Sequence, residues 1–224
     1  TKTSDVEGTV RQIGALEEAG CEIVRVAVSD EADAAAVRAV KERIRLPLVA
    51  DIHFSPKLAA AAIENGADKV RINPGNIGGE KEIKYVADCI RAHGIPVRVG
   101  SNTGSIEANF LKKYGRSAEA LVESALYNVG VLEKFGVTDI VISVKASSVP
   151  LTVRAYTLLS ERTDYPLHVG VTEAGTTEAG IVKSAVGIGA LLLNGIGDTV
   201  RVSLTDDPVR EVYAAKHILR ACGL

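Results

Sequence analysis

Short apolar segments that carry polar residues at alternate positions recur along the chain. In residues 69–73, Val70 and Ile72 share one parity, whereas Arg71 and Asn73 share the other. In a strand, residues two apart point to the same face, so the two polar side chains are predicted to lie together. Pro74-Gly75 is predicted to end this strand and to leave Asn76 in a loop. Six more segments of this kind are predicted strands: 22–28, 48–53, 97–102, 140–145, 167–172 and 199–203.

Segments with helical periodicity separate these strands, and most of them end at a glycine. The polar connection 103–116 contains Phe110, Leu111 and Tyr114, so part of it is expected to be packed. The predicted helices run from about 4 to 20, 31 to 44, 55 to 66, 80 to 93, 117 to 135, 148 to 162, 177 to 194 and 207 to 222.

Strict alternation of strands and helices predicts a parallel sheet with right-handed crossovers. Eight helices and seven strands are predicted, and the chain opens on a helix. We therefore expect an α/β fold, a (β/α)8 TIM-type barrel whose first strand lies just upstream, with residues 1–224 forming a single domain. An open doubly wound sheet is the alternative. It is disfavoured because no strand-to-helix turn carries the G-x-G-x-x-G pattern.

Composition narrows the possible partners. The chain has 224 residues, a formal net charge of −2 and 4% aromatic residues, which favours neither a nucleic acid nor a membrane. The apolar run 181–196 contains Lys183 and is too short to span a bilayer. Three widely separated cysteines form no metal-binding motif. A cytoplasmic protein with no metal site in this chain is predicted.

The strand ends carry more positive than negative charge. In a barrel these ends converge on one mouth, where such enzymes have their active sites. Two acids, Asp51 and Glu173, cannot neutralise five bases, so internal ion pairing alone does not explain the pattern. Arginine binds two phosphate oxygens at once, which favours a phosphorylated or diphosphorylated small molecule. The five bases are Arg25, Arg71, Arg98, Lys145 and Arg201.

Other chemistries stay open on the residues alone. Lys145 could form a Schiff base, as in barrel aldolases and lyases, because neighbouring cations lower the pKa of a buried lysine. Asp51 and Glu173 are candidate general acids. His53 and His168 have no metal-ligand spacing, so hydrogen bonding to substrate or structure is the favoured interpretation. A non-catalytic anion-binding barrel is a further alternative.

Six motifs together resemble 4-hydroxy-3-methylbut-2-enyl diphosphate synthases, a family of the non-mevalonate pathway of isoprenoid biosynthesis. The resemblance spans nearly the whole chain, with the motifs in order. The motifs are Val49-Ala-Asp-Ile-His-Phe54, Arg71-Ile-Asn-Pro-Gly-Asn-Ile-Gly78, Ser143-Val-Lys-Ala-Ser147, Val171-Thr-Glu-Ala-Gly175, Lys183-Ser-Ala185 and Gly195-Ile-Gly-Asp-Thr-Val-Arg-Val-Ser203.

The resemblance implies an oxidoreductase that reductively opens and dehydrates 2-C-methyl-D-erythritol 2,4-cyclodiphosphate. It implies that Glu173 is the proton-donating carboxylate and that Asp51, His53, Asn73, Ser143 and Thr172 also line the substrate site. The diphosphate-binding roles implied by motif position fall on Arg25, Arg71, Arg98, Asn102, Lys145, Arg201 and Ser203.

The resemblance also implies components beyond this chain. Family members hold a [4Fe–4S] cluster on three cysteines and a glutamate of a C-terminal domain, which is expected to follow Leu224. Reduced ferredoxin or flavodoxin supplies the electrons, and the full-length protein is expected to be a homodimer. The present chain alone is therefore expected to be inactive as a reductase.

Overall fold

A computed structural model describes residues 1–172 and 176–224. In chain order the elements are α1 (Val6–Ala19), β1 (Val24–Ala27), α2 (Glu31–Lys41), β2 (Leu48–Asp51), α3 (Pro56–Glu64), β3 (Lys69–Ile72), α4 (Pro74–Ile77), α5 (Glu80–His93), β4 (Val97–Asn102), α6 (Ala108–Tyr114), α7 (Ala118–Lys134), β5 (Ile140–Lys145), α8 (Val149–Ser160), β6 (His168–Val169), α9 (Thr177–Leu192), β7 (Thr199–Val200) and α10 (Pro208–Ala221).

The chain forms two compact units, which we describe separately. The first comprises residues 1–99 and 128–140, and the second comprises residues 100–127 and 141–224. The strand order is β1-β2-β3-β4-β5 in one sheet, and β6 pairs with β7 in another. The pairs whose register is defined are parallel, as the alternation of strands and helices predicted.

In the first unit, the register of the parallel strands aligns four residues. Ala27 pairs with Asp51, Asp51 with Arg71, and Arg71 with Arg98. Residues paired in this way point to the same side of a sheet, so the charged side chains of neighbouring strands become neighbours. Apolar residues of the opposite parity, including Val70 and Ile72, are fully buried and form the core between strands and helices.

Capping side chains begin several helices, and a glycine ends helix α1. Asp30, Ser55 and Ser148 each accept a hydrogen bond from a backbone N–H in the first turn of α2, α3 and α8. Such caps satisfy amide groups that the helix itself leaves without a partner. Helix α1 ends at Gly20 with φ 94°, a left-handed conformation that glycine adopts without a steric penalty.

An aspartate immediately before a strand fixes the start of the neighbouring strand in both units. In the first unit the Asp68 carboxylate accepts a hydrogen bond of 2.7 Å from the backbone N–H of Leu48. In the second unit Asp198 accepts one of 2.7 Å from the N–H of Leu167. Each carboxylate thus supplies an acceptor at the end of the strand ladder, where the backbone amide has lost its regular partner.

Several predicted boundaries were wrong. Predicted strands 167–172 and 199–203 are reduced to the two-residue pair β6 and β7, so the polar residues that follow them lie outside the ladder. Residues Pro74–Ile77 form the one-turn helix α4 rather than a loop, because Asn73 caps it and proline favours the first helical position. Within 103–116, helix α6 was not predicted. Packing was expected from Phe110, Leu111 and Tyr114, which are half-buried, whereas Ile106 is buried.

The core of the second unit includes a buried tyrosine that joins a helix to two strands. Tyr156 on α8 is fully buried. Its hydroxyl donates a hydrogen bond of 2.6 Å to the carbonyl oxygen of His168 and accepts one of 3.2 Å from the N–H of Val144. An isolated bridge pairs Ile142 of β5 with Leu167, the residue before β6, and this hydroxyl adds a further connection.

We predict that Tyr156→Phe lowers the free energy of unfolding by about 1–3 kcal/mol, the cost of leaving buried polar groups without a partner. Urea denaturation monitored by circular dichroism measures the change. Tyr213→Phe is the control, because Tyr213 is 52% exposed. Equal stability of the two variants would contradict the assigned role of the Tyr156 hydroxyl.

Candidate functional site

A carboxylate shared by two arginines is the main feature of the strand ends in the first unit. One oxygen of Asp51, Oδ2, lies 2.9 Å from Arg25 Nη1, and the other, Oδ1, lies 3.0 Å from Arg71 Nη1. The Asp51 side chain is 8% exposed and that of Arg71 12%. The predicted proximity of Arg25, Asp51 and Arg71 is therefore present, with Asp51 serving as the bridge between the two cations.

The charge state of Asp51 follows from its neighbours. Burial by itself would raise the pKa of this carboxyl. The positive charges of Arg25 and Arg71, with a smaller effect of His53 and the hydrogen bond from Arg71, together lower the pKa below its usual value. Asp51 is therefore ionised near neutral pH, which does not favour the alternative in which it acts as a general acid.

Two further cations lie beside this cluster. Arg98 pairs in register with Arg71 and is 8% exposed. Lys69 lies two residues before Arg71 on the same face of β3 and was not singled out in the sequence. The pKa of Lys69 is lowered, first by burial and then by the charge of Arg98. Lys69 is the first residue of β3, at the opposite end from the C-terminal strand ends that the sequence pattern pointed to.

The remaining predicted residues of the first unit occupy different positions. Asn73 is buried, and its Oδ1 accepts a hydrogen bond of 3.2 Å from the N–H of Gly75 at the start of α4. His53 is exposed beyond the end of β2, and its ring lies 5.9 Å from that of Phe54. Asn73 thus has a structural role as a helix cap, whereas His53 is accessible to a ligand.

In the second unit, Lys145 and Arg201 come close to the same glycine. A side-chain carbon built on Gly170 would lie 2.5 Å from the carbonyl oxygen of Arg201 and 3.1 Å from Lys145 Nζ. Real side chains do not tolerate the first of these distances, so only glycine fits here. The absence of a side chain at Gly170 lets the Lys145 ammonium group lie against the backbone beside Arg201.

Arg201 has an acidic partner that the sequence analysis did not identify. Its Nε lies 3.7 Å from Oε2 of Glu211 on α10. The charge count considered only residues on strands, so Glu211 was left out and the excess of positive charge was overestimated. The signal that could have found it is an acidic residue in the first turn of the helix that follows a site strand.

The other predicted residues of the second unit lie near strand ends. Ser143 is buried on β5, at the same parity as Lys145. Asn102 ends β4 in a turn, in which its backbone N–H donates to Ser105 Oγ at 3.0 Å. Ser203 is half-buried after β7, and the Thr172 N–H donates to the Ala146 carbonyl at 3.3 Å. Glu173, the predicted proton donor, lies outside the described residues.

The histidine of β6 has a structural partner. His168 Nδ1 lies 2.8 Å from Thr199 Oγ1, and the two residues pair in register between β6 and β7. This contact agrees with the interpretation of His168 as a hydrogen-bonding residue. In the part of the chain that the structure describes, no three side chains of the types His, Cys, Asp and Glu are grouped so that they could hold a metal ion.

Within residues 1–172 and 176–224, no helix has the length and apolar character that a membrane-spanning helix needs.

Alternating parallel strands and helices, with basic side chains on successive strand ends, are typical of TIM-type barrels that bind phosphorylated ligands. Comparison with known proteins defines the class further. A model of the GcpE TIM-barrel domain matches residues 1–216, and the chain belongs to this family. The predicted TIM-type barrel is thereby confirmed.

Relatives of high identity carry one shared name, 4-hydroxy-3-methylbut-2-en-1-yl diphosphate synthase (flavodoxin). The protein from Caldanaerobacter subterraneus subsp. tengcongensis is 60% identical across the whole of this chain, which covers 63% of that relative. The proteins from Ruminiclostridium cellulolyticum and Geobacillus kaustophilus are each 55% identical across the whole chain, which covers 64% and 60% of them. The chain thus spans less than two thirds of the length of these relatives.

Solved structures of low identity share the fold. Dihydropteroate synthase of Yersinia pestis is 12% identical with a TM-score of 0.65, and the match covers 98% of this chain and 90% of that one. The dihydropteroate synthase of Coxiella burnetii, in complex with pteroic acid, is 13% identical with a TM-score of 0.66, covering 97% and 86%. At such identity the likeness concerns the barrel fold alone.

We predict that Asp51 makes stability depend on pH. Because its folded-state pKa is lowered, its contribution is fully present above the unfolded value of about 3.9 and is lost as the pH falls through the folded value. Asp51→Asn should therefore lower the free energy of unfolding most near neutral pH, with the difference from the wild type narrowing below about pH 4.

Urea denaturation at several pH values between about 3 and 7 measures this dependence. Asp88→Asn is a matched control, because Asp88 pairs with Lys84 in an exposed position. A difference between the wild type and Asp51→Asn that stayed constant across the whole pH range would show that the ionised carboxylate is not the stabilising species.

Proposed function

We propose that this chain is the substrate-binding barrel of a 4-hydroxy-3-methylbut-2-enyl diphosphate synthase and binds 2-C-methyl-D-erythritol 2,4-cyclodiphosphate. The observation that carries the proposal is the alignment of relatives with this name over the whole chain, at up to 60% identity. The reaction that we propose is reductive ring opening and dehydration to 4-hydroxy-3-methylbut-2-enyl diphosphate, a step of isoprenoid biosynthesis.

The arginines of the first unit support an anionic ligand. Arg71 and Arg98 pair in register on neighbouring strands, where little of either side chain is exposed and like charges repel. Asp51 offsets part of this repulsion for Arg71 and Arg25. A diphosphate can accept charge-assisted hydrogen bonds from several guanidinium groups at once. We therefore propose Arg25, Arg71 and Arg98 as diphosphate ligands in this unit.

The second unit contributes its own proposed ligands. Lys145 Nζ and the backbone of Arg201 both lie beside Gly170, and these two residues are proposed to supply two cations. Asn102, Ser143, Thr172 and Ser203 are proposed to donate hydrogen bonds to oxygen atoms of the substrate. Glu173 is proposed to protonate the substrate hydroxyl that leaves as water, because a carboxylic acid can transfer a proton to a leaving group.

The iron–sulfur cluster does not fit the described part of this chain. Within residues 1–172 and 176–224, no three side chains of the types His, Cys, Asp and Glu are grouped as a cluster would require. We propose that a [4Fe–4S] cluster is held elsewhere in the full-length protein and supplies electrons to the substrate. The names of the relatives support reduced flavodoxin as the electron donor, and a homodimer is proposed as the assembly.

Turnover of the cyclic diphosphate by the anaerobically purified full-length protein with reduced flavodoxin tests the proposed function directly. The product 4-hydroxy-3-methylbut-2-enyl diphosphate is identified by mass spectrometry. Absence of product from a protein with a complete cluster would overturn the proposal. A non-catalytic anion-binding barrel would then be favoured, provided that inorganic diphosphate still bound. Borohydride trapping of a carbonyl substrate on Lys145 would instead favour the Schiff-base lyase.

We predict that Arg71→Leu weakens diphosphate binding by roughly 2–5 kcal/mol, the range for removing one member of a buried charge pair. Isothermal calorimetry with inorganic diphosphate measures the loss, and added salt should weaken wild-type binding by screening. Arg43→Leu is the control, because Arg43 forms an exposed ion pair with Glu7. Unchanged affinity of Arg71→Leu would exclude Arg71 from the site.

We predict that Glu173→Gln in the full-length protein binds substrate nearly normally while kcat falls about 10²–10⁴-fold, the usual contribution of a general acid. Glutamine keeps the size of glutamate but has no acidic proton to transfer. Substrate titration, thermal melting and turnover on one preparation separate the possibilities. Near-normal turnover would contradict the assignment, and a loss confined to stability or affinity would show a structural role.

A further inference from the structure

Glu211 contacts the loop after β7 through both of its carboxylate oxygens. Oε1 accepts a hydrogen bond of 2.8 Å from the backbone N–H of Leu204, and Oε2 lies 3.7 Å from Nε of Arg201. The Glu211 side chain is 17% exposed and that of Arg201 37%. One side chain of α10 therefore connects to both the backbone of this loop and its arginine.

The position of Glu211 is itself well defined. It lies in the first turn of α10, which begins at Pro208 after the capping residue Asp207. The Asp207 carboxylate accepts a hydrogen bond of 3.0 Å from the N–H of Val209. Asp206, in the same loop, binds both Thr177 and Arg210 at 2.7 Å. These bonds hold the start of α10 close to the loop that carries Arg201.

The contact is made at the inner nitrogen of Arg201, Nε. An anion that met the outer nitrogens, Nη1 and Nη2, would not have to displace Glu211. The guanidinium group is planar and rigid, so a contact that restrains Nε also restrains the direction of the outer nitrogens. The backbone of Arg201 is fixed independently by its N–H bond of 2.9 Å to Val169 and by its close approach to Gly170.

We propose that Glu211 is a positioning residue that orients the Arg201 guanidinium group toward an anionic ligand of the second unit. This inference rests on the proposed diphosphate-binding function, and neither the charge pattern nor the family resemblance assigned a role to Glu211. Glu211 contacts Arg201, so its orienting effect on diphosphate binding is transmitted through Arg201.

The test uses a variant that keeps the charge. Glu211→Asp retains the negative charge but withdraws the carboxylate by one methylene group, so both contacts are lost. A substitution to a neutral residue would also remove a charge that repels diphosphate, and the two effects would oppose each other. The experiment measures the Kd of inorganic diphosphate by calorimetry in the full-length protein at fixed ionic strength. The four proteins are the wild type, Glu211→Asp, Arg201→Gln and the double variant.

The expected result is a Kd raised about 2–5-fold by Glu211→Asp in the wild-type background, the range set by an ion pair that solvent partly screens. In the Arg201→Gln background the same substitution should leave Kd unchanged. Glu119→Asp is the matched control, because Glu119 pairs with Arg154 at 2.6 Å on the exposed surface of the same unit. Its Kd should equal that of the wild type.

Two results would overturn the inference. One is an unchanged Kd in Glu211→Asp, and the other is a deficit of the same size in both backgrounds, which indicates general disturbance of the loop. If Glu211→Asp does not fold, Glu211→Gln replaces it, since its amide oxygen still accepts from Leu204. The same cycle then applies, with coupling to Arg201 supporting the inference and its absence overturning it.

Failure of the proposed diphosphate-binding function would give a different set of Kd values. A wild-type protein that does not bind diphosphate, or that binds it with the same Kd after Arg201→Gln, would remove Arg201 from an anion site and would overturn the positioning role as well. If Arg201→Gln weakens binding but Glu211→Asp does not, only the role of Glu211 is wrong and the diphosphate site stands.

Discussion

The shared carboxylate of Asp51 is the interaction on which the arrangement of the first unit depends. Parallel register places charged residues of neighbouring strands side by side, and without an anion between them Arg25 and Arg71 would repel each other. Asp51 binds one arginine with each oxygen, at 2.9 and 3.0 Å. One buried carboxylate thus allows two arginines of neighbouring strands to keep their side chains at the strand ends.

Register explains why this cluster could be predicted from the sequence. The alternation in 69–73 and 48–53 placed Asp51 and Arg71 on one face of adjacent strands, and β2 and β3 begin at the predicted residues 48 and 69. A period of two determines the face of every residue once the strand is located. The shared face of these residues could therefore be predicted, whereas the ion pairs of Asp51 with Arg25 and Arg71 were not, because internal ion pairing was the disfavoured explanation.

The second unit was predicted less well for a physical reason. Strand periodicity assumes a ladder, but β6 and β7 contain only two residues each, so the residues after Val169 and Val200 follow loop geometry. Such geometry depends on contacts with other elements, including the approach of Arg201 to Gly170 and the bonds made by Glu211. A pattern that considers one element at a time does not contain that information.

Helices α4 and α6 were not predicted because periodicity detects helices of several turns, and these have four and seven residues.

The two units hold their arginines by contacts of unequal strength. Asp51 is fixed in a strand, 8% exposed, and its pKa is lowered despite burial, so its pairs with the two arginines contribute to stability. The pair of Glu211 with Arg201 is longer, at 3.7 Å, and Arg201 is 37% exposed. Ion pairs that are screened by solvent in this way contribute about 0–1 kcal/mol to stability. The contact therefore contributes little to stability. It still favours one direction of the Arg201 guanidinium group, because the Glu211 carboxylate is itself held by the backbone N–H of Leu204. The effect of that preference on ligand binding is limited to about the same energy.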